Sequence, residues 1–230
     1  KNIEYTIQGS DLQMLNLNLK PEEGILSEPG TMVITDPRIT METSARGGLL
    51  SSIARAVAGA GLFLTTFSNA QSDDAEISFA APYPGKILPV DLSEHNGTLF
   101  VQSHCFLCAN KNTEITVAFT RRLSTGLFGG EGLMVLKLAG QGMSFLHGGG
   151  FIKQIDLQAG ESINVEAGCL LAYESTVDFS IKRIRGMANM LFGGEGIFLI
   201  SLTGPGRVYI QSLPLARLAH TIGHLLPNKG

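Results

Sequence analysis

The sequence lacks tryptophan and is poor in cysteine, with three cysteines among 230 residues and only 7% aromatic residues. Three cysteines leave one unpaired, so a disulfide framework is not expected and a reducing compartment is favoured. No apolar run approaches the roughly 18 residues of a membrane-spanning helix, and no signal-peptide pattern opens the sequence. We therefore predict a cytoplasmic protein. Its mean hydropathy of +0.19 indicates apolar residues buried in a core or between subunits.

A strong positive charge is missing too. The formal net charge is −3 and the isoelectric point is about 6.0. No stripe of Lys and Arg accompanies the few aromatic residues. Proteins that bind RNA usually combine a basic surface with rings that stack on bases. The composition therefore argues against nucleic acid as a partner.

Motifs of common enzyme classes are absent from the sequence. It has no Gly-x-Ser-x-Gly, no Gly-x-Gly-x-x-Gly that opens a helix after a strand, and no His-x-His pair of a jelly-roll metalloenzyme. Cys105 and Cys108 have an odd separation, which on a strand points their side chains to opposite faces and prevents them from holding one metal ion. His220 and His224 share a helix face but form only half a metal site. We predict no catalytic residue, no metal site and no cofactor.

What the sequence does contain is a repeat. The segment Leu127–Leu133 returns as Leu191–Ile197, 64 residues later, and an apolar run with a Gly-x-Gly turn follows both copies. Strand, tight turn and strand are expected, because glycine supplies the positive φ of a short hairpin turn. We predict structural roles for the residues of this motif, which are Gly129, Gly130, Glu131, Gly132, Gly193, Gly194, Glu195, Gly196, Gly204 and Gly206.

A third, less regular copy lies in the N-terminal third. Residues 61–67 match 132–138, and Ile77–Phe79 take the place of Met143–Phe145. These matches predict an all-β protein of three tandem β-sandwich-like repeats, of the double-stranded β-helix or jelly-roll type. We expect the repeats to surround a pseudo-threefold axis as one compact body. Their approximate bounds are 1–79, 80–145 and 146–230.

Helices are expected in two places only. Apolar residues at helical spacing predict a short helix near 44–60. A second short helix is predicted near 214–226, where Pro214 stands at its start. Both could pack on the β core or contact another subunit.

The C-terminal third resembles that of a known family. The segments Met190–Gly196 and Leu202–Pro214 are similar to the ending of a family of bacterial and archaeal proteins, and residues 61–67 and 85–92 also follow its pattern. The organellar relatives are called altered inheritance of mitochondria number twenty-four. The resemblance implies three repeats with a fold like that of the tryptophan RNA-binding attenuation protein, and no established enzymatic activity. Through the mitochondrial members it also implies a link to inner-membrane organisation.

Arginines stand beside the repeated motif. Arg121 and Arg122 precede the second copy, Arg183 and Arg185 precede the third, and Arg46 flanks the matching segment of the first. Threefold symmetry would place these side chains at equivalent vertices. They could then form a face for anionic membrane headgroups, an acidic protein partner or a bound anion. The alternative is that they are ordinary solvated strand ends.

These observations favour a non-enzymatic, homo-oligomeric binding or scaffolding protein, placed next to a membrane if the arginine face exists. Its contacts would use edge strands, the C-terminal helix and the arginine-bearing face. One alternative is a small-molecule, anion-binding or enzymatic site at the junction of the repeats, lined by polar groups from different copies. A second alternative is RNA binding, which only the likeness in fold suggests.

Overall fold

The computed structural model describes residues 3–28, 30–43, 64–121, 132–184 and 197–225, and most of their regular structure is β-strand. The first seven strands are β1 Glu4–Gln8, β2 Met14–Leu19, β3 Gly24–Ser27, β4 Met32–Thr35, β5 Ile39–Thr43, β6 Thr65–Asn69 and β7 Ala75–Ala80. The next six are β8 Gly85–Asp91, β9 Thr98–Gln102, β10 Phe106–Asn110, β11 Glu114–Arg121, β12 Leu133–Ala139 and β13 Met143–Gly149. The last six are β14 Ile152–Leu157, β15 Ser162–Glu166, β16 Leu170–Glu174, β17 Asp178–Ile184, β18 Ile197–Thr203 and β19 Gly206–Gln211, and helix α1 follows at Leu215–Leu225.

The described strands pair antiparallel into four sheets. The first sheet has the order β1-β2-β7-β4 and the second has the order β5-β6-β3-β10-β13-β8. The third has the order β11-β12-β9-β16-β19-β14, and the fourth has the order β15-β18-β17. Three single 3-10 turns, at Leu92–His95, Ser103–Cys105 and Ala167–Cys169, connect strands within this part of the chain.

The same pairings recur along the chain. Strand β2 pairs with β7, β8 pairs with β13 and β14 pairs with β19. Likewise β3 pairs with β6, β9 with β12 and β15 with β18. The second sheet joins β5, β6 and β3 to β10, β13 and β8, and the third sheet joins its two halves in the same way through β9 and β16. Each of these two sheets is therefore composed of strands from consecutive stretches of the chain.

The strands follow the alternation that a half-buried sheet requires. In β2, Leu15, Leu17 and Leu19 are buried, and the residues between them are half-buried. Side chains alternate between the two faces of a strand, so this period of two directs one face to the core. The turn from β12 to β13 holds Gly140 at φ +132° and Gly142 at φ +101°, which residues with a side chain rarely adopt.

Apolar clusters fill the space between neighbouring sheets. One cluster includes Leu17, Ile77 and Phe145 and joins the first sheet to the second. A cluster around Leu99 and Leu136 contains residues of the second and third sheets, and a further cluster contains residues of the third and fourth. Burial of these side chains is the main favourable contribution to folding.

The all-β class and the C-terminal helix predicted from the sequence are confirmed. At the start of α1, the carbonyl oxygen of Pro214 accepts hydrogen bonds from the backbone N–H groups of Arg217 and Leu218. The helix predicted near 44–60 lies outside the described residues. The pseudo-threefold axis stays a prediction.

The match between the first and second copies shifts by one residue. The sequence comparison places Phe79 at the position of Phe145. In the structure the register of β4 and that of β10 each shift once. Directly after the shift, Ile34 pairs with Ser78 and Cys108 pairs with Phe145. Ser78 is therefore the residue that corresponds to Phe145. All of β13 is buried, so its sequence lacks the alternation that would have fixed the register.

Three glycines of the predicted structural set lie in the described part of the chain. Gly132 has φ +80° and Gly206 has φ +141°. A Cβ at Gly204 would lie 2.4 Å from the carbonyl oxygen of Gln158. These positions need glycine for backbone geometry or for a close backbone approach. The remaining members, Gly129, Gly130, Glu131, Gly193, Gly194, Glu195 and Gly196, lie outside the described residues.

Candidate functional site

Two strands that lie at the edges of their sheets form the candidate site. Strand β4 ends the first sheet, and its described partner is β7. Strand β15 ends the fourth sheet, and its described partner is β18. An edge strand presents backbone N–H and C=O groups that another chain can pair with. The two edges are therefore surfaces on which a further strand can be added.

The β4 edge is apolar as well as unpaired. Val33 is 53% exposed and Ile34 is 57% exposed. The strands in the corresponding place of the second and third sheets are β10 and β16, which are paired on both sides. Their matching residues, Leu107, Cys108, Leu171 and Ala172, are at most 1% exposed. The residues of β4 are as apolar as those of its buried counterparts. The strands differ in pairing, because β4 has one described strand neighbour whereas β10 and β16 each have two.

The β15 edge is more polar. Ser162 and Asn164 are exposed, whereas Ile163 is half-buried and Val165 is buried in the core between the third and fourth sheets. Polar residues on the solvent face reduce unwanted pairing, which is how natural proteins protect an edge. The two edges therefore differ in chemistry, and one is better protected than the other.

Irregularities occur at the same place in β4 and in its paired counterparts. The register of β4 shifts between Met32 and Ile34, that of β10 between Phe106 and Cys108, and that of β16 between Leu170 and Ala172. A bulge of this kind often discourages edge pairing. Here β10 and β16 carry it and still pair on both sides, so the bulge leaves β4 competent to accept a strand.

The described residues give only the strand positions of two of the predicted arginines. Arg121 ends β11 opposite Leu133, and Arg183 lies on β17 opposite Phe198. Both strands are the outermost strands of their sheets. Arg46, Arg122 and Arg185 lie outside the described residues. The arginine face therefore stays a prediction.

A partly buried hydrogen-bond network was missed by the sequence analysis. His95 is 3% exposed, and its Nδ1 lies 2.7 Å from Oε1 of Glu174. The other carboxylate oxygen of Glu174 accepts a hydrogen bond of 2.8 Å from the backbone N–H of Arg207. These residues are far apart in sequence, and no local motif marks them. The network joins the 3-10 turn at Leu92–His95 to strands β16 and β19.

The network continues to the surface through the side chain of Arg207. Its Nε donates to Asp156 at 3.1 Å, and its Nη1 donates to the hydroxyl of Tyr209 at 3.4 Å. Hydrogen bonds from Gln154 and Arg207 lower the pKa of Asp156, and burial raises the pKa of Tyr209. Every charged group in this chain of contacts has a partner. The arrangement fits a structural link between strands.

A second polar cluster lies where β13 and β19 end near the 3-10 turns. The side-chain amide of Gln211 donates to the carbonyl oxygen of Gly168 at 3.0 Å and to Sγ of Cys105 at 3.2 Å, and it accepts from the backbone N–H of Gly149 at 2.9 Å. His147 is buried on β13 and meets the ring of Tyr83 edge to face, with ring centres 4.6 Å apart.

Burial keeps the ionisable groups of this cluster uncharged. It raises the pKa of the Cys105 thiol to about 12 and lowers the pKa of His147 to about 4. A nucleophilic cysteine needs a lowered pKa and access to substrate, and Cys105 has neither. Cys105 and Cys108 are both buried free thiols, and cysteine in such a place acts as a small apolar core residue.

Metal and membrane signatures were also sought in the described part of the chain. Across those ranges, no group of three or more His, Cys, Asp and Glu side chains could hold a metal ion. Among the same residues, no helix has the length and apolar character needed to cross a bilayer.

The antiparallel sheets define an all-β protein whose second and third sheets each join two groups of strands edge to edge. The family model described as mitochondrial biogenesis AIM24 matches residues 5–213. The chain belongs to this family.

Two proteins of Streptococcus pyogenes resemble the chain along its length. An uncharacterised protein of serotype M6 is 28% identical over 235 residues, an alignment that covers 98% of this chain and 92% of the relative. A crystal structure of an S. pyogenes protein matches with a TM-score of 0.77 at 24% identity, covering 98% of this chain and all of that one. At this identity the structural match establishes the fold alone.

Proposed function

We propose that this protein is a non-enzymatic, oligomeric binding or scaffolding protein that assembles through exposed strand edges. The exposed apolar edge of β4 carries this proposal. Val33 and Ile34 expose more than half of their surface on a strand that has one described neighbour. Covering the exposed half of each side chain contributes about 0.8–1.5 kcal/mol, so a partner that covers both gains binding free energy.

The recurring strand pairings also support three equivalent repeats, near 1–79, 80–145 and 146–230. Each repeat would contribute one strand to a neighbour's sheet, as β10 does with β3 and β16 does with β9. A pseudo-threefold axis and a likeness to the tryptophan RNA-binding attenuation protein are proposals that rest on the sequence repeat and on the resemblance. The proposed scaffold would present copies of one surface at regular intervals.

The oligomeric state in solution tests this proposal. We expect the wild-type chain to form a defined oligomer in native mass spectrometry and in light scattering, and Ile34→Lys to shift it to monomer, because a lysine on an edge strand opposes pairing. Met41→Lys is the matched control, since Met41 is 56% exposed on β5, the outer strand of the second sheet. A wild-type chain that remains monomeric at high micromolar concentration would contradict the proposal.

A ligand or enzymatic site at the junction of the repeats is the second candidate. The observation in its favour is the buried polar cluster of Tyr83, His147 and Gln211, in which Nδ1 of His147 has no hydrogen-bond partner among the described residues. A small molecule held there would appear in the same native mass spectra as a constant added mass on each chain. Spectra without added mass leave the scaffold as the supported function.

A further inference from the structure

Two joints inside the chain show how strands of neighbouring repeats fit together. Strand β10 pairs antiparallel with β3, and β16 pairs antiparallel with β9. In the first joint Cys108 lies opposite Ser27, and in the second Ala172 lies opposite Val101. Both joints are buried. The chain therefore uses one edge-to-edge geometry twice.

Strand β4 occupies the place that β10 and β16 occupy in those joints. All three pair on their other side with equivalent strands, namely β7, β13 and β19. After the shared irregularity, Ile34, Cys108 and Ala172 are the first residues to pair again with these strands. Ile34 therefore corresponds to Cys108 and Ala172.

Strand β15 occupies the place of β3 and β9. Its pairing of Val165 with Ile200 matches that of Ser27 with Thr65 and that of Val101 with Leu136. Val165 therefore corresponds to Ser27 and Val101. The unpaired edges of β4 and β15 thus correspond to the two sides of a joint that the chain makes twice elsewhere.

We infer that β15 of one copy of this chain pairs antiparallel with β4 of a second copy, with Ile34 opposite Val165 and Thr35 opposite Asn164. The inference rests on the proposed assembly through strand edges and names its partner and register. It would extend the four-stranded first sheet of one copy with the three-stranded fourth sheet of the next. The resulting sheet has the strand order of the second and third sheets, with β1 added.

The exposure of Val33 and Ile34 favours β15 of a second copy, rather than the chain's own β15, as the strand that pairs with β4. Pairing within one chain would bury Val33 and Ile34 as it buries their counterparts in β10 and β16, whereas both are more than half exposed in the single chain. The proposed pairing of β4 with β15 is shorter than the joint of β10 with β3. In that joint the backbone N–H of Lys111 donates a hydrogen bond to the carbonyl oxygen of Gly24. Pro37 stands at the equivalent position after β4 and has no N–H, so this hydrogen bond cannot form.

The contact uses different surfaces on the two copies. Such head-to-tail contacts close into a ring when the rotation between copies permits and otherwise grow into a filament. The two end copies of an open assembly would each keep one free edge until the ring closes. The inference therefore excludes a two-fold dimer in which β4 pairs with β4.

Disulfide trapping tests the register. Thr35→Cys and Asn164→Cys are placed on separate chains, and the two variants are mixed and mildly oxidised. Opposite residues of an antiparallel pair have Cβ atoms about 4.5–5.5 Å apart, so we expect a covalent species of twice the chain mass only in the mixture. Mixing Ile34→Cys with Asn164→Cys is the control, because these side chains lie on opposite faces of the extended sheet. Wild type, with its three native cysteines, is oxidised alongside.

The outcomes separate the inference from the proposed function. An oligomer that forms no Thr35–Asn164 disulfide overturns the inference and leaves assembly standing. A disulfide in the double variant at the mass of one chain shows closure within the chain and also overturns it. Wild type that is monomeric in native mass spectrometry overturns the proposed function itself.

Discussion

Strands β10 and β4 hold the same place in their sheets, yet the surface of one is buried and that of the other is exposed. Leu107 on β10 is 1% exposed, whereas Val33, its counterpart on β4, is 53% exposed. Both strands are apolar and both carry the same irregularity. The difference lies in the surroundings: β10 pairs with both β3 and β13, and Leu107 packs in the core between the first and second sheets, whereas β7 is the one described partner of β4. The β4 edge therefore provides one side of the strand contact that β10 makes with β3.

The largest test of this comparison is truncation at the two matched positions. Leu107→Ala should lower the free energy of unfolding by about 2–5 kcal/mol, because it leaves a cavity in a packed core. Val33→Ala should change it by less than about 0.5 kcal/mol when chains are dilute enough to be separate. Urea unfolding followed by circular dichroism measures both.

The effect of Val33→Ala should differ at high concentration, where the chains assemble. Once copies assemble, Val33→Ala removes apolar surface from the proposed joint and should weaken assembly about tenfold. Equal losses of stability at Val33 and Leu107 in separate chains would show that β4 is covered by its own chain.

The strands that pair with β10 and β4 differ in a titratable group. His147 on β13 corresponds to Ala80 on β7, and burial lowers the pKa of His147 to about 4, below its usual value of 6.5. Between pH 4 and 6.5 the unfolded chain binds a proton that the folded chain does not, so this contribution to stability is complete above pH 6.5 and is lost as the pH falls towards 4. Its size is about 3 kcal/mol.

His147→Gln should remove that dependence while keeping a polar side chain, since Gln211 occupies the equivalent place on β19. The measurement is the unfolding free energy of wild type and variant at several pH values from 4 to 7. The carboxylates titrate alike in both proteins, so the difference between the two curves isolates His147. Parallel curves would mean that the imidazole is already solvated in the folded chain.

The repeat made the strands on both sides of its glycine turns predictable and left the edges undetermined. The predicted hairpins were wrong, because β12 and β13 lie in different sheets and so do β18 and β19. Glycine turns and apolar runs identified β12, β13, β18 and β19 because both signals are local. Nothing in the residues Met32–Thr35 marks them as exposed, since they are as apolar as Phe106–Ala109. Which edge lacks a described neighbour depends on how all the strands are ordered, and that is a property of the whole topology.

The polar sites were harder still. His95 and Glu174 are 79 residues apart, and their pairing follows from the contact between the middle and last parts of the chain. A motif search detects residues that are close in sequence, so it cannot detect a pair created by packing. Cys105 and Cys108, which do form a motif, prove to be buried core residues.

The last expected effect concerns the arginines, which offer an alternative use of exposed surface. If a membrane rather than a second copy is the main partner, Arg121→Glu with Arg185→Glu should weaken binding to vesicles containing phosphatidylserine. Each basic residue near an anionic surface contributes about 1 kcal/mol, so the pair should cost about thirtyfold in affinity at low salt. Sedimentation with vesicles of neutral and anionic lipid measures this loss.

The β4 variant Ile34→Lys is the informative control for that experiment. It adds a positive charge and blocks strand pairing, so binding driven by arginine alone should persist or strengthen in it. Binding that needs the assembled oligomer should fall, because multivalent attachment multiplies weak contacts. Wild-type protein that fails to bind anionic vesicles at low salt removes the membrane from consideration. The strand edges would then be the surface on which the scaffold proposal depends.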